Sequence, residues 1–152
     1  MDIERDFNEK GYLGKQIAEF TESVEIKYSR FFDAAHKINK ITQRLKYKFD
    51  IHNEDLQEIL SACLFLRILN GFQSVVILCK LGLVFDTKVI LRSMLEAHFL
   101  LKAVSEDIEF ALKYILTDHV QRLKWMNVAR KTIDPGFEAL RGYATDERIE
   151  EL

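Results

Sequence analysis

The sequence predicts an all-α fold, an antiparallel helical bundle with one long N-terminal helix and four or five shorter helices. Apolar residues recur at intervals of three and four over most of the chain, which is the period of amphipathic helices. The 152 residues include one proline and six glycines, fewer than folds built of strands and turns need. Hydrophobic residues make up 48% and charged residues 30%, so residues 1–152 are expected to form a single domain with its own core.

The first predicted helix runs from Leu13 to Phe49. Along it, apolar residues alternate in steps of three and four, and the opposite side carries mainly Lys, Glu, Arg and Asn. A helix of that length extends about 50 Å, which is more than a small domain covers. We therefore expect part of its apolar seam to pack on a second copy, so that the protein is a homo-oligomer assembled through this helix.

The second and third helices are predicted to form an antiparallel pair. Asn53 is a good N-cap for the second helix, which extends to about Leu81 and is apolar on almost every side. Gly82 is expected to end it. Asp86 is predicted to cap the third helix, over residues 87–104. The short connection implies that the two helices are antiparallel neighbours.

The remaining helices are shorter or incomplete. The fourth is predicted to be capped by Ser105 and to end at about Lys131. Asp134 followed by proline predicts a short fifth helix. A sixth helix, capped by Thr145, would be cut short after one or two turns. This pattern indicates that the sequence is an N-terminal part of a longer polypeptide.

The composition predicts a cytoplasmic protein without a membrane segment. Cys63 and Cys79 fall on one predicted helix, about 24 Å apart, which is too far for a disulfide. The first ten residues are charged throughout, unlike a signal peptide. The longest uncharged stretch, residues 68–79, is too short to span a bilayer. A net charge of −2 gives no general attraction for nucleic acid, although the basic segment 37–48 leaves such a partner open.

The sequence contains no motif of a cofactor-dependent or metal-dependent enzyme. It lacks a Gly-rich phosphate loop, a Gly-x-Ser-x-Gly turn and Cys/His metal spacing. His119 lies on the apolar face of the fourth helix and is expected to be a hydrogen-bonded core residue. The Glu-x-x-His pairs of helical di-iron proteins are missing. We therefore expect no metal and no cofactor.

Polar residues on the second and third helices form the candidate site. Arg67 and Asn70 share a face that apolar residues continue at both ends, which predicts that they are buried and paired. We expect Glu96 to accept hydrogen bonds from Arg67 across the helix pair, or from Arg92 one turn back as the local alternative. Two other interpretations stay open. The polar residues of the third helix could form a solvated stripe, or the cluster Arg67, Asn70, Arg92 and Glu96, with His119 of the fourth helix, could bind a small ligand.

The segment from residue 67 to residue 101 resembles a bacterial family of helical proteins of unknown function. The resemblance rests on an arginine, the glycine of the turn and an Arg-Ser-x-x-Glu motif on the next helix, here Arg67, Gly82, Arg92, Ser93 and Glu96. Three residues downstream are also similar, Tyr114, Arg122 and Lys124. The resemblance covers residues 55–130. It implies a helical bundle and no known activity.

A second resemblance is to the HEPN superfamily of helical, dimeric ribonucleases and nucleotide-binding proteins. Arg92 and His98 match the arginine and histidine of its motif in spacing. Ser93 stands where that motif usually has Asn, Asp or His, and Glu96 adds a negative charge that opposes a phosphate. The resemblance implies a metal-independent endoribonuclease of phage defence or a toxin system, with Arg92 and His98 as catalytic residues. The residues themselves favour a non-enzymatic, oligomeric binding or interaction module with a buried Arg/Glu cluster.

Overall fold

The computed structural model describes residues 8–145 and confirms the all-α prediction, since the regular elements in that range are all helical. The α-helices are α1 (Ile17–Lys27), α2 (Ser29–Leu45), α3 (Leu56–Lys80), α4 (Val84–Glu106), α5 (Ile108–Lys131) and α6 (Glu138–Tyr143). Short 3-10 helices occur at Gly11–Leu13 and Pro135–Phe137. The most extensive contact joins α3 to α4, and the other helices touch this pair over part of their length. The predicted packing of all the helices into one antiparallel bundle stays a prediction.

The predicted long first helix is divided into α1 and α2 at Tyr28. Tyr28 has φ −115° and ψ 30°, outside the helical range, and its N–H donates to the carbonyl of Val24 at 3.0 Å. Phe32 of α2 and Val24 of α1 belong to one apolar cluster on Val76 of α3. Both segments therefore pack on α3, which a straight rod crossing it would not allow. Helix α2 also ends at Leu45, before the predicted end.

The N-terminus of α3 is capped by Asp55 instead of the predicted Asn53. The Asp55 carboxylate accepts hydrogen bonds from the backbone N–H groups of Gln57 and Glu58, at 2.9 and 3.0 Å. This satisfies two of the amide groups that the first turn of a helix leaves without a partner. The prediction named the wrong residue because three capping or acidic side chains follow one another at positions 53–55.

Gly82 ends α3 as predicted, in the left-handed conformation with φ +72°. The N–H of Leu83 reaches back to the carbonyl of Leu78 at 2.9 Å. A Cβ at Gly82 would lie 3.1 Å from two ring carbons of Phe20, so α1 also packs on this turn. The turn is so short that α4 begins at Val84. Asp86 consequently lies inside the first turn of α4 and is not its N-cap, contrary to the prediction.

Helices α3 and α4 pack closely because small residues lie at their contact. A Cβ at Gly71 would come within 2.5 Å of Met94 Cγ, so the absence of a side chain at Gly71 makes room for Met94. Ala97 of α4 and Leu64 of α3 are buried in the core on this contact. At the open end of the pair, the Gln57 side-chain amide donates to the carbonyl of Val104 at 2.7 Å.

Helix α5 begins after a single non-helical residue, Asp107. Asp107 caps it by accepting from the N–H groups of Glu109 and Phe110 at 2.8 and 3.1 Å. The predicted cap, Ser105, instead donates to the carbonyl of Lys102 at the end of α4. The cap predicted at Asp134 is confirmed, since its carboxylate accepts from the N–H of Gly136 at 2.8 Å. The predicted sixth helix after Thr145 lies outside the described residues.

Candidate interaction surface

The expected pairing of Glu96 is found in its local form. Glu96 Oε1 accepts a hydrogen bond from Arg92 Nε at 3.1 Å, one turn back on α4. Arg67 does not bond to Glu96, so the preferred pairing across the helices is wrong. Its Nη2 instead donates to Ser93 Oγ at 3.0 Å. The Arg-Ser-x-x-Glu motif is thus linked to α3 through its serine.

The predicted burial of this cluster is also wrong for the single chain. The side chains of Arg92 and Glu96 are 84% and 59% exposed, and Arg67 and Asn70 are exposed as well. Cys63, whose apolar character helped to predict burial on that face of α3, is itself exposed. An apolar neighbour is weak evidence of burial, because much of any folded surface is apolar.

The two histidines proposed for function occupy different environments. His98 is exposed on α4, about 120° around the helix from Arg92, with its ring 6.0 Å from that of Phe99. His119 is half-buried, and its Nδ1 atom is buried without a hydrogen-bond partner in the described part of the chain. It faces inward as predicted, but the expected hydrogen bond at this atom is not observed. Within residues 8–145 no three His, Cys, Asp or Glu side chains could hold a metal ion.

Exposed apolar residues flank the Arg92–Glu96 pair on both sides. Val89 and Phe99 follow one another with Arg92 and Glu96 at steps of three, four and three, so the four residues form one stripe along α4, which we call the α4 stripe. Val89 is 68% exposed and Phe99 67% exposed. Contiguous exposed apolar surface marks an interaction site, whereas single exposed apolar residues do not.

A neighbouring face of α3 is open in the same way. Leu66, Asn70 and Ile77 recur at steps of four and seven and are all exposed. Arg67 and Ser93, whose side chains are hydrogen-bonded, lie at the seam between this face and the α4 stripe. The two helices therefore present one continuous surface, apolar at its ends and polar at its centre.

Helix α2 carries a second exposed apolar row, beside the face that packs on α3. We call it the α2 stripe; its members recur at the heptad steps of four and three and are Phe31, Ala34, Ile38, Ile41 and Leu45. The four large side chains in this row are between 39% and 58% exposed. The neighbouring face of α2, roughly 110° around the helix, buries Phe32 and Ala35 on α3. Apolar side chains thus cover more of α2 than α3 can bury.

Comparison with known proteins places the α3–α4 pair in a family. Residues 58–152 match a family of unknown function, DUF5677, and this is more than half of the chain. The chain belongs to the DUF5677 family. The match begins inside α3, so the Arg-Ser-x-x-Glu helix is part of what this DUF5677 protein shares with its relatives, while α1 and α2 precede the match. Comparisons with curated proteins and with solved structures found no match.

In this DUF5677 protein, α3 is long and apolar enough, by length and composition alone, to cross a membrane. Its polar side chains contact neighbouring helices. Gln73 donates to Asn39 of α2 at 3.0 Å, and Lys80 forms an ion pair with Glu25 of α1. Together with the bond of Arg67 to α4, these contacts join α3 to each of α1, α2 and α4.

A cavity of about 320 Å³ lies where the segment after α2 meets α3 and α4. Phe49 and Phe65 pack edge to face in its wall, with ring centres 5.3 Å apart, and Leu101 lines the side of α4. Glu58 also lines it and accepts a hydrogen bond from the backbone N–H of His52, with the ring Nδ1 also at 2.9 Å. These two hydrogen bonds from His52, and above all the one from its backbone N–H, lower the pKa of the Glu58 carboxyl below its ordinary value. This carboxylate is therefore engaged by its own chain.

Proposed function

We propose that this DUF5677 protein is a self-associating, cytoplasmic interaction module whose copies meet along the α2 stripe. The observation that carries the proposal is the exposed heptad row of α2, beside the face that packs on α3. Rows of this period pack into the matching rows of a second helix. Each buried large apolar side chain stabilises such a contact by roughly 1.5–3 kcal/mol relative to its exposed state.

The total surface of the chain supports the same proposal. Its accessible area is 11,927 Å² for 17.8 kDa, whereas a compact monomer of that mass exposes about 8,000 Å². A standard interface removes about 800 Å² from each partner. The excess is several times larger than one such interface requires.

We expect the purified protein to have at least the mass of a dimer in light scattering at micromolar concentration. Ile38→Lys places a charge in the middle of the α2 stripe in both copies. It should raise the dissociation constant of this contact by about 100-fold or more. Lys40→Ala, on the polar side of the same helix, is the matched control and should leave the mass unchanged. A monomeric wild-type protein would contradict the proposal.

The alternative proposal is a HEPN-like ribonuclease. It is favoured by the exposure of both Arg92 and His98 on α4, where a substrate could reach them. It is opposed by the hydrogen bond that Arg92 donates to Glu96 and by the angle that separates Arg92 from His98 on one helix. A catalytic pair would therefore need side chains from two copies.

Incubation with RNA in the presence of a chelator separates the two functions. For the interaction module we expect no cleavage that depends on Arg92. Cleavage that is lost in both Arg92→Ala and His98→Ala, but retained in Lys102→Ala on the same helix, would establish the nuclease. The masses of the variants must be measured alongside, because a change in assembly could also remove activity.

A further inference from the structure

We propose that the α4 stripe is a second self-association face, on which a second copy of this chain packs with its α4 antiparallel. The stripe is open in the single chain, with Val89 and Phe99 about two-thirds exposed. It lies in the segment that matches the family, whereas the α2 stripe precedes that segment. The proposal goes beyond the α2 contact and rests on different residues.

The order of residues in the α4 stripe suits a two-fold contact. Three residues before Arg92 lies Val89, and three residues after Glu96 lies Phe99. The stripe is therefore symmetric about its midpoint, with charges at the centre and apolar side chains outside. When two such helices cross antiparallel at that midpoint, Val89 faces Phe99 of the second copy. At the same place Arg92 faces the second copy's Glu96, and the same contacts repeat across the axis.

The charges at the centre fit this partner. Arg92 uses Nε for Glu96 of its own chain, and a guanidinium has further N–H donors in the same plane. The same group can therefore bond to two carboxylates at once. In a symmetric contact this gives a closed ring of two arginines and two glutamates. Such a ring fixes the register of the two helices, while the apolar side chains supply most of the affinity.

The surrounding surface extends this contact and excludes a bilayer as its occupant. Leu66 and Asn70 of α3 adjoin the stripe across the Arg67–Ser93 hydrogen bond. An asparagine among apolar residues of a helix interface favours one register over others. A lipid surface would have to accommodate Arg92, Glu96 and Asn70 at the centre of its contact, which is costly in hydrocarbon. A second copy offers each of these groups a partner.

The α2 and α4 stripes can be occupied at the same time. Helix α2 packs on the side of α3 that carries Val76, and Asn70 lies about 120° around α3 from Val76. Two different two-fold contacts on one chain do not close at a dimer. We therefore expect the wild-type assembly to contain more than two chains, and the loss of either contact to leave a dimer.

Charge reversal in the Ile38→Lys background isolates the α4 contact. Ile38→Lys alone should be a dimer in sedimentation equilibrium. Adding Arg92→Glu should place like charges opposite each other, raise the dissociation constant at least about tenfold and give monomers at micromolar concentration. Adding Glu96→Arg should do the same. An equal mixture of these two double variants should recover dimers, because each now meets the opposite charge on its partner.

The control is Arg122→Glu in the same background, since Arg122 and Asp118 form an exposed pair of the same spacing on α5. It should stay dimeric. A monomeric Ile38→Lys protein, charge variants that leave the dimer intact, or no recovery on mixing would each overturn the α4 contact while leaving the α2 proposal standing. If the charge variants dissociate a wild-type assembly that Ile38→Lys leaves unchanged, the α4 contact holds and the α2 proposal fails. A monomeric wild type overturns both.

Discussion

Replacing Leu64 by alanine should lower the free energy of unfolding by about 2–5 kcal/mol. Leu64 is 5% exposed and packs in the core where α3, α4 and α5 meet, beside Ala97, Val104 and Ala111. Its buried neighbours are small or β-branched, so only the partly buried leucines around them, Leu60, Leu100 and Leu101, can move into the space that a truncated side chain leaves. Urea denaturation should show a lower midpoint at every protein concentration tested, because the loss lies inside one chain.

Leu66→Ala is the matched control, since it makes the same change on the same helix. Leu66 is 43% exposed on the face that adjoins the α4 stripe. Its truncation should cost little within the chain, and any loss that comes from a weakened contact between copies should grow as protein concentration rises and the wild-type assembly forms. Equal losses from both variants at all concentrations would mean that Leu66 belongs to the core of the single chain.

Phe32→Ala should cost about 3–5 kcal/mol, and the loss should be concentrated in α1 and α2. Phe32 is buried against Val76, and Val24 of α1 packs on the same cluster. Since this cluster is the principal apolar contact of α1 and α2 with α3, its loss should release both helices before the rest unfolds. Native-state hydrogen exchange should then show faster exchange in residues 17–45 than in α3 and α4.

The control for this prediction is the adjacent residue. Phe31 is 54% exposed and lies on the α2 stripe, with its ring edge to face with that of Phe32. Phe31→Ala should therefore leave exchange within the chain nearly unchanged and should weaken association instead. Uniformly faster exchange over the whole of α3 and α4 in Phe32→Ala would show that the helices unfold as one unit.

The sequence was sufficient to predict an all-α fold and two of the helix ends, but not the division of the first helix at Tyr28. Gly82 and Asp134 were predicted because each has a conformational role that few residues can fill, a left-handed backbone and an N-cap before proline. The caps at Asn53, Asp86 and Ser105 were wrong because several residues of suitable type stood near each helix start. The backbone conformation at the helix start decides which of these side chains reaches the free amide groups.

Pairing across helices was harder to predict than pairing along one helix. The Arg92–Glu96 bond follows from spacing alone, whereas Arg67 bonds to Ser93 because of how α3 and α4 are rotated against each other. That rotation depends on the close approach at Gly71, whose consequences the sequence does not reveal. The interruption at Tyr28 was not predicted, for a similar reason. The apolar spacing continues on both sides of Tyr28, and it is the packing of both segments on α3 that divides the helix there.

Three contacts hold α3 against α4 along their length. They are the Gln57–Val104 hydrogen bond, the packing of Met94 on Gly71 and the turn at Gly82. Helices held at three points along about 35 Å resist both sliding and bending, so the pair behaves as one rigid body. The backbone leaves the helical range on either side of it, at Tyr28 and at Asp107. Val24 anchors α1 on this pair and Ala111 anchors the start of α5, so slow motion should be largest where these two helices extend beyond their anchors, against a pair that keeps its shape.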